Sequence, residues 1–163
     1  ETDLQITGSL RRENHTLTID YALRGDLDKI EIPDTSNNPS RKHNLWQTTC
    51  FEFFLGLEGS KRYWEFNLSP SGDWNMYRFE NYREGMLEDT IIKLLTFNVL
   101  RESKGIFLLL EFHMYQLVPI VFNFKVSPTT VIKYKNGDIS YWAVKHCAEE
   151  ADFHLRDSFL YYI

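Results

Sequence analysis

The sequence predicts an all-β sandwich. Three observations carry that expectation: short segments that alternate apolar and polar residues, turn-forming residues between them, and almost no helical periodicity. Residues 4–10 alternate modestly. Residues 15–23 do so clearly, with Leu17, Ile19, Tyr21 and Leu23 on one face and Thr16, Thr18 and Asp20 on the other. Gly25 and Asp26 end that strand, residues 29–32 read as a short following strand, and residues 33–40 are loop by composition.

Residues 45–80 organise the rest. Phe51, Phe53, Leu55 and Leu57 form one face of a strand, and Cys50, Glu52, Phe54 and Gly56 the other. In the next strand Trp64, Phe66 and Leu68 alternate with Tyr63, Glu65 and Asn67, and residues 58–61 supply a short hairpin loop. Setting Leu57 against Arg62 puts Leu55 opposite Trp64, Phe54 opposite Glu65, Phe53 opposite Phe66, Glu52 opposite Asn67 and Phe51 opposite Leu68. One face is then wholly apolar. The other carries two carboxylates and an amide at mid-strand positions, as either a solvent-facing surface or a wet concave floor for a polar ligand.

After the turn at residues 69–73, residues 74–80 continue the meander with a register open by one residue. The arrangement that keeps Arg78 out of the core places Trp74, Met76 and Arg78 beside Glu52 and Asn67, because burying an unpaired charge is costly. Residues 82–88 are irregular or a helical turn. Residues 91–100 and 106–114 read as strands, and residues 117–124 as a loop and then a strand around Pro119. Asn136-Gly137 is the strongest hairpin signal, since both residues tolerate positive φ; it joins strands at 129–135 and 138–145. Pairing Lys135 with Asp138 directs Ile132, Tyr134, Ile139 and Tyr141 to the core and sets Trp142 opposite Val131 on the other face. Residues 159–163 close the chain as an edge strand.

The 163 residues read as one domain, 1–163, without internal repeat or linker. A net charge of -5 and a pI of about 5.5 argue against a basic nucleic-acid footprint. The longest apolar run, residues 106–110, is strand-sized and spans no membrane. The aromatic content of 15% suits both strands and ligand platforms. Cys50 and Cys147 look like free thiols, which favours a reducing, cytoplasmic setting, while the start at Glu1 leaves an upstream signal peptide open.

The segments LWQTTCFEFFLG and RYWEFNLSPSGDWNMYRF resemble the DOMON-like superfamily, and within it carbohydrate-binding modules of the family-nine type. That pattern sets a Trp six residues before an acid in a VE-x-F strand, followed by a YyEf…P-x-G strand; Trp46 and Glu52, then Tyr63-Trp64-Glu65-Phe66 and Pro70-Ser71-Gly72, match it. The tail YWAVKHCAEEADFHLRDSF is similar to that of stand-alone DOMON-like proteins. The resemblance implies a jelly-roll-like antiparallel β-sandwich in which two tryptophans, here Trp46 and Trp142, sandwich a sugar ring while charged and amide side chains bind its hydroxyls. DOMON relatives bind sugars or haem.

The expected ligand site is therefore Trp46, Glu52, Asn67, Trp74, Arg78, Trp142 and His146. Trp46 and Trp142 stack, Glu52, Asn67 and Arg78 form hydrogen bonds, and Trp74 and His146 line the edge. The expected ligand is a saccharide or another small polar molecule, and this reading requires Glu52 and Trp142 on the same side of the molecule. Haem would draw on Met76, Met86 or Met114 with His113, His146 or His154, none of them in a specific motif. Asp26, Asp28 and Asp34 could hold structural calcium but form no recognisable loop motif, and no compact zinc spacing appears. Glu52 and Glu65 could as a pair run glycoside hydrolysis, but no nucleophile motif accompanies them. The expectation is a non-catalytic module with no metal. The alternative of a different class is a protein-interaction or structural module whose exposed aromatics meet another chain, and the oligomeric state stays open.

Overall fold

The computed structural model describes residues 3–118 and 123–163. The described strands are β1 (Gln5–Glu13), β2 (Thr16–Arg24), β3 (Cys50–Leu57), β4 (Tyr63–Leu68), β5 (Trp74–Phe79), β6 (Leu87–Glu88), β7 (Phe97–Glu102), β8 (Gly105–His113), β9 (Phe124–Lys133), β10 (Ile139–Ala143) and β11 (Tyr161–Tyr162). They form an antiparallel β-sandwich. One sheet runs β1-β2-β8-β7 and the other β10-β9-β3-β4-β5-β6, with β11 pairing the start of β9 on the edge that β10 occupies further along.

The apolar faces meet between the sheets. Leu17, Ile19, Tyr21 and Leu23 of β2 and Ile106, Leu108, Leu110 and Phe112 of β8 pack against Phe51, Phe53 and Leu55 of β3 and Trp64, Phe66 and Leu68 of β4. Phe53 stacks on Phe66 at 4.3 Å, and Phe66 meets Phe112 edge-on at 5.0 Å across the interface. The β3–β4 register is the one the alternation dictates, from Phe51 opposite Leu68 to Leu55 opposite Trp64.

Two neighbouring strands sit one residue away from their expected registers. Five residues, 69–73, join Leu68 directly to Trp74, with Ser69 N–H donating to the Asp73 carbonyl at 2.9 Å. Trp74 and Met76 therefore enter the core, and Asn75, Tyr77 and Phe79 share the face of Glu52. Arg78 follows Trp74 and Met76, yet its position at the strand end leaves it a third exposed, 3.0 Å from the Glu80 carboxylate and 3.9 Å from Asp89. The cost of an unpaired buried charge, which weighed against this register, never arises.

At the β9–β10 hairpin, Tyr134 N–H donates to the Asp138 carbonyl and Gly137 N–H to the Tyr134 carbonyl, both at 2.9 Å. The loop thus holds Lys135, Asn136 and Gly137, the last at φ +98°, a three-residue connection in place of the expected two-residue one. Tyr141 then faces Val131 and Trp142 faces Thr130, so Trp142 packs at the rim of the inter-sheet core with its indole N–H on Ser140 Oγ at 2.8 Å.

Other differences are local. Residues 27–29 form a 3-10 turn, with Ile30 bridging Tyr134, where a strand at 29–32 was expected. Residues 91–96 are not strand: this segment buries Ile92 and Leu95 as it crosses to β7. The expected break around Pro119 falls partly outside the described residues. Cys50 and Cys147 are unbridged, and no described helix is long and apolar enough to cross a membrane.

Candidate functional site

The outer face of the larger sheet carries a polar row. Ala143, Thr129, Glu52, Asn67 and Asn75 are successive cross-strand neighbours from β10 to β5, so their side chains share a face. A second row brings Ser127, Phe54, Glu65 and Tyr77 alongside it. Glu52 and Thr129 are each only 2% exposed, because three irregular segments roof the face. Trp46, in a 3-10 turn at Leu45–Gln47, meets Tyr77 edge-on at 5.5 Å. Arg83 and Met86 come from the segment after β5. The C-terminal tail contributes Phe153, His154 and Phe159, which pack with Phe54, Tyr63 and Phe79 into a second apolar cluster.

The tail is held down where β3 has no side chain. Arg156 lies over Gly56, donates from Nη2 to the carbonyls of Leu57 (2.9 Å) and Ser60 (3.2 Å), and stacks 5.0 Å from the centre of the Phe159 ring. Beneath the roof remains a hollow of about 400 Å³, lined by Trp46, Glu52, Phe54, Glu65, Phe79 and Arg83 with Val131, Tyr141, Phe153 and His154.

Its floor is short of partners. Asn67 donates from Nδ2 to Glu65 Oε1 at 3.0 Å, but Glu52 Oε1, Asn67 Oδ1 and Thr129 Oγ1 are buried without a hydrogen bond. Burial, then the charge of Glu65, raises the Glu52 carboxyl well above the usual range, favouring its neutral form. Burial lifts Glu65 to about 7, against the opposing effects of the Asn67 amide and the Arg83 charge. Burial, then the nearby Arg83 charge, pushes His154 down to about 4, leaving a neutral imidazole. Tyr63, raised to about 12 chiefly by burial, keeps its proton. Its oxygen accepts the Arg83 backbone N–H at 3.1 Å and lies 2.8 Å from His154 Nδ1, while His154 Nε2 lies 3.8 Å from the Glu65 carboxyl. Arg83 pairs with Asp152 at 2.8 Å.

Of the expected site, Trp46 and Glu52 line the hollow and Asn67 lies in its floor. His146 sits at the rim, its ring parallel to Phe153 at 6.1 Å and its Nε2 3.1 Å from the Tyr141 carbonyl. Trp74, Arg78 and Trp142 belong to the opposite face. The expected clamp of Trp46 and Trp142 around a ring above Glu52 is therefore overturned: the sheet separates the two indoles. Trp142 lines a different groove, about 520 Å³, on the open flank between β1 and β10, where the polar side chains Ser9 and Asp20 bond to each other.

Sequence reasoning put Glu65 and Phe54 on the correct face but left them out of the site. It missed Tyr141 through the β10 register, left Thr129 out although β9 faces as expected, and missed Arg83, Phe153 and His154 because their segments have no periodicity to read. Met76 and Met114 are core residues, and Met86 shares the lining of the hollow with His154. Among the described residues no three His, Cys, Asp or Glu side chains converge on a metal position, and Asp26 is engaged with Lys29 and the Asp28 N–H.

No protein-family model and no curated protein matches the chain. Among solved structures it is similar to a "putative carbohydrate-binding protein" from Bacteroides uniformis ATCC 8492, with a TM-score of 0.71 and 11% identity over 96% of this chain and 77% of that one. At that identity the likeness is one of fold.

Proposed function

We propose that the chain is a non-catalytic, DOMON-like ligand-binding module whose outer hollow takes a small polar ligand of the saccharide class. One observation carries the reading: Glu52 presents an unpartnered buried carboxyl oxygen at the floor of an aromatic-walled hollow. An unsatisfied buried polar group costs about 1–3 kcal/mol, which a ligand hydroxyl would recover. Trp46, Tyr141 and Phe153, all lining the hollow, take the stacking role expected of two tryptophans, each covered ring contributing about 1–3 kcal/mol. After the cost of association this supports roughly micromolar to millimolar affinity. The fold shared with the Bacteroides protein supports the same class of ligand.

Isothermal titration with a panel of neutral and amino sugars tests the reading. Binding is expected for the wild type, weakened about tenfold or more by Trp46→Ala and Glu52→Leu and retained by Trp142→Ala. A panel with no binder, or a loss confined to Trp142→Ala, removes it.

A second reading, as a protein-interaction module, draws on the outer face of the smaller sheet. There Leu100 and Leu109 are 57% and 40% exposed beside Phe107. Association that Leu100→Lys abolishes in light scattering, with no sugar response, favours that reading.

A further inference from the structure

Resting on that reading of the hollow, we propose that its ligand carries a primary ammonium group, as an amino sugar does, and seats it on Glu52 and Glu65.

The open atoms of the floor are oxygens that can accept. One Asn67 Nδ2 hydrogen goes to Glu65 Oε1, and Asn67 Oδ1, Glu52 Oε1 and Thr129 Oγ1 are left without a partner. A sugar hydroxyl brings one donor and lone pairs that themselves need donors, whereas an ammonium brings three donors and no acceptor. All three floor oxygens can accept from it, and the ionised form of Glu52 would do so with charge assistance.

Charge points the same way. The cations around the face are engaged elsewhere: Arg83 with Asp152, Arg41 with Asn75 Oδ1 and the Ile92 carbonyl, Arg156 with the Leu57 and Ser60 carbonyls, and Arg78 with Glu80 across the sheet. His154, the group facing Glu65 from the tail, is neutral, and Tyr63 and Tyr77 on β4 and β5 and the Cys50 thiol on β3 keep their protons. Two buried carboxyls on adjacent strands thus share a hollow whose lining Arg83 is tied to Asp152, and an arriving cation would favour their ionised forms. The walls, Trp46, Phe54, Phe79, Tyr141 and Phe153, present ring surface that attracts a cation. When the ammonium seats, Glu52 gives its proton to solvent and the ligand nitrogen keeps its own, so binding releases protons.

The test is calorimetry with glucosamine, glucose, N-acetylglucosamine and ethylamine, at about pH 5.5 and about pH 7, in buffers of different ionisation enthalpy. Glucosamine is expected to bind about tenfold or more tighter than glucose or N-acetylglucosamine, with affinity rising toward neutral pH and protons released. Glu52→Gln, which keeps the side-chain shape, is expected to abolish the preference while the circular dichroism spectrum stays unchanged. Glucose binding as tightly as glucosamine, or glucosamine binding without proton release, overturns the ammonium seat and leaves the saccharide site standing. Ethylamine binding with proton release while no sugar binds supports the seat and removes the saccharide reading. No binding by any of the four removes both.

Discussion

Thr129 on β9 and Glu52 on β3 stand directly opposite one another, and each holds a side-chain oxygen in a buried setting without a hydrogen-bond partner. Ladder pairing explains how they meet but not why both go unsatisfied, because a fold selected for stability alone would place an apolar pair there.

Thr129→Val removes one of the two oxygens and keeps the shape. Ordinarily such a change costs about 1 kcal/mol through a lost hydrogen bond. Here there is no bond to lose, so urea unfolding is expected to show unchanged or slightly increased stability, while ligand affinity falls several-fold in calorimetry. A destabilisation of about 1 kcal/mol or more would reveal a bonded hydroxyl.

The acid pair and His154 pull stability in opposite directions with pH. Glu65 rises from 4.5 to about 7 on folding, so the folded state holds the extra proton, and this contribution is present below pH 4.5 and lost as pH climbs through about 7. His154 falls from 6.5 to about 4, so its contribution is present above pH 6.5 and lost as pH drops through about 4. Glu52, also raised, adds to the Glu65 slope, so between about pH 4.5 and about pH 6.5 the two acids outweigh the histidine and the wild-type melting temperature is expected to fall as pH rises. Glu65→Gln leaves Glu52 and His154 opposing each other, so melting followed by circular dichroism should become nearly flat between about pH 4.5 and about pH 6.5, where the wild type falls by several degrees.

The three-residue hairpin makes Trp142 and Tyr141 behave differently. Trp142→Ala takes a half-buried indole from the core rim and should cost about 1–3 kcal/mol without touching the hollow. Tyr141→Ala, 48% exposed on the other face, should leave stability within about 0.5 kcal/mol and weaken ligand binding. The reverse pattern would mean the two-residue loop and the other register.

Gly56 and Arg156 form a lock for the roof. A Cβ at Gly56 would lie 1.2 Å from Arg156 Nη1, a guanidinium already tied to two carbonyls and stacked on Phe159. Gly56→Ala and Arg156→Ala are both expected to loosen the tail, with amide hydrogen exchange rising about tenfold or more across residues 151–159 while the β3–β4 core keeps its protection.

How much of this was legible can be read from three places in one sheet. In β3 and β4 one face is wholly apolar while the other carries Glu52, Glu65 and Asn67, so composition and register were both readable from the residues. Trp74 and Trp142 were assigned to the wrong face for one reason: the turn before each strand is a residue longer or shorter than expected, and with a side-chain period of two a single residue inverts the strand. Arg78 seemed to argue against the true register, until its place at the strand end supplied Glu80 and Asp89.

The sequence by itself determined the sandwich, the sealed apolar interior and the mid-strand acids, because these follow from local alternation within strands that must each bury one side. Only the tertiary structure decided that the acids lie under a roof and not in open solvent. Arg83, Phe153, His154 and Arg156 arrive from irregular segments whose paths follow from distant contacts, such as a guanidinium finding the space above a glycine one hundred residues earlier, and no local pattern encodes contacts of that range.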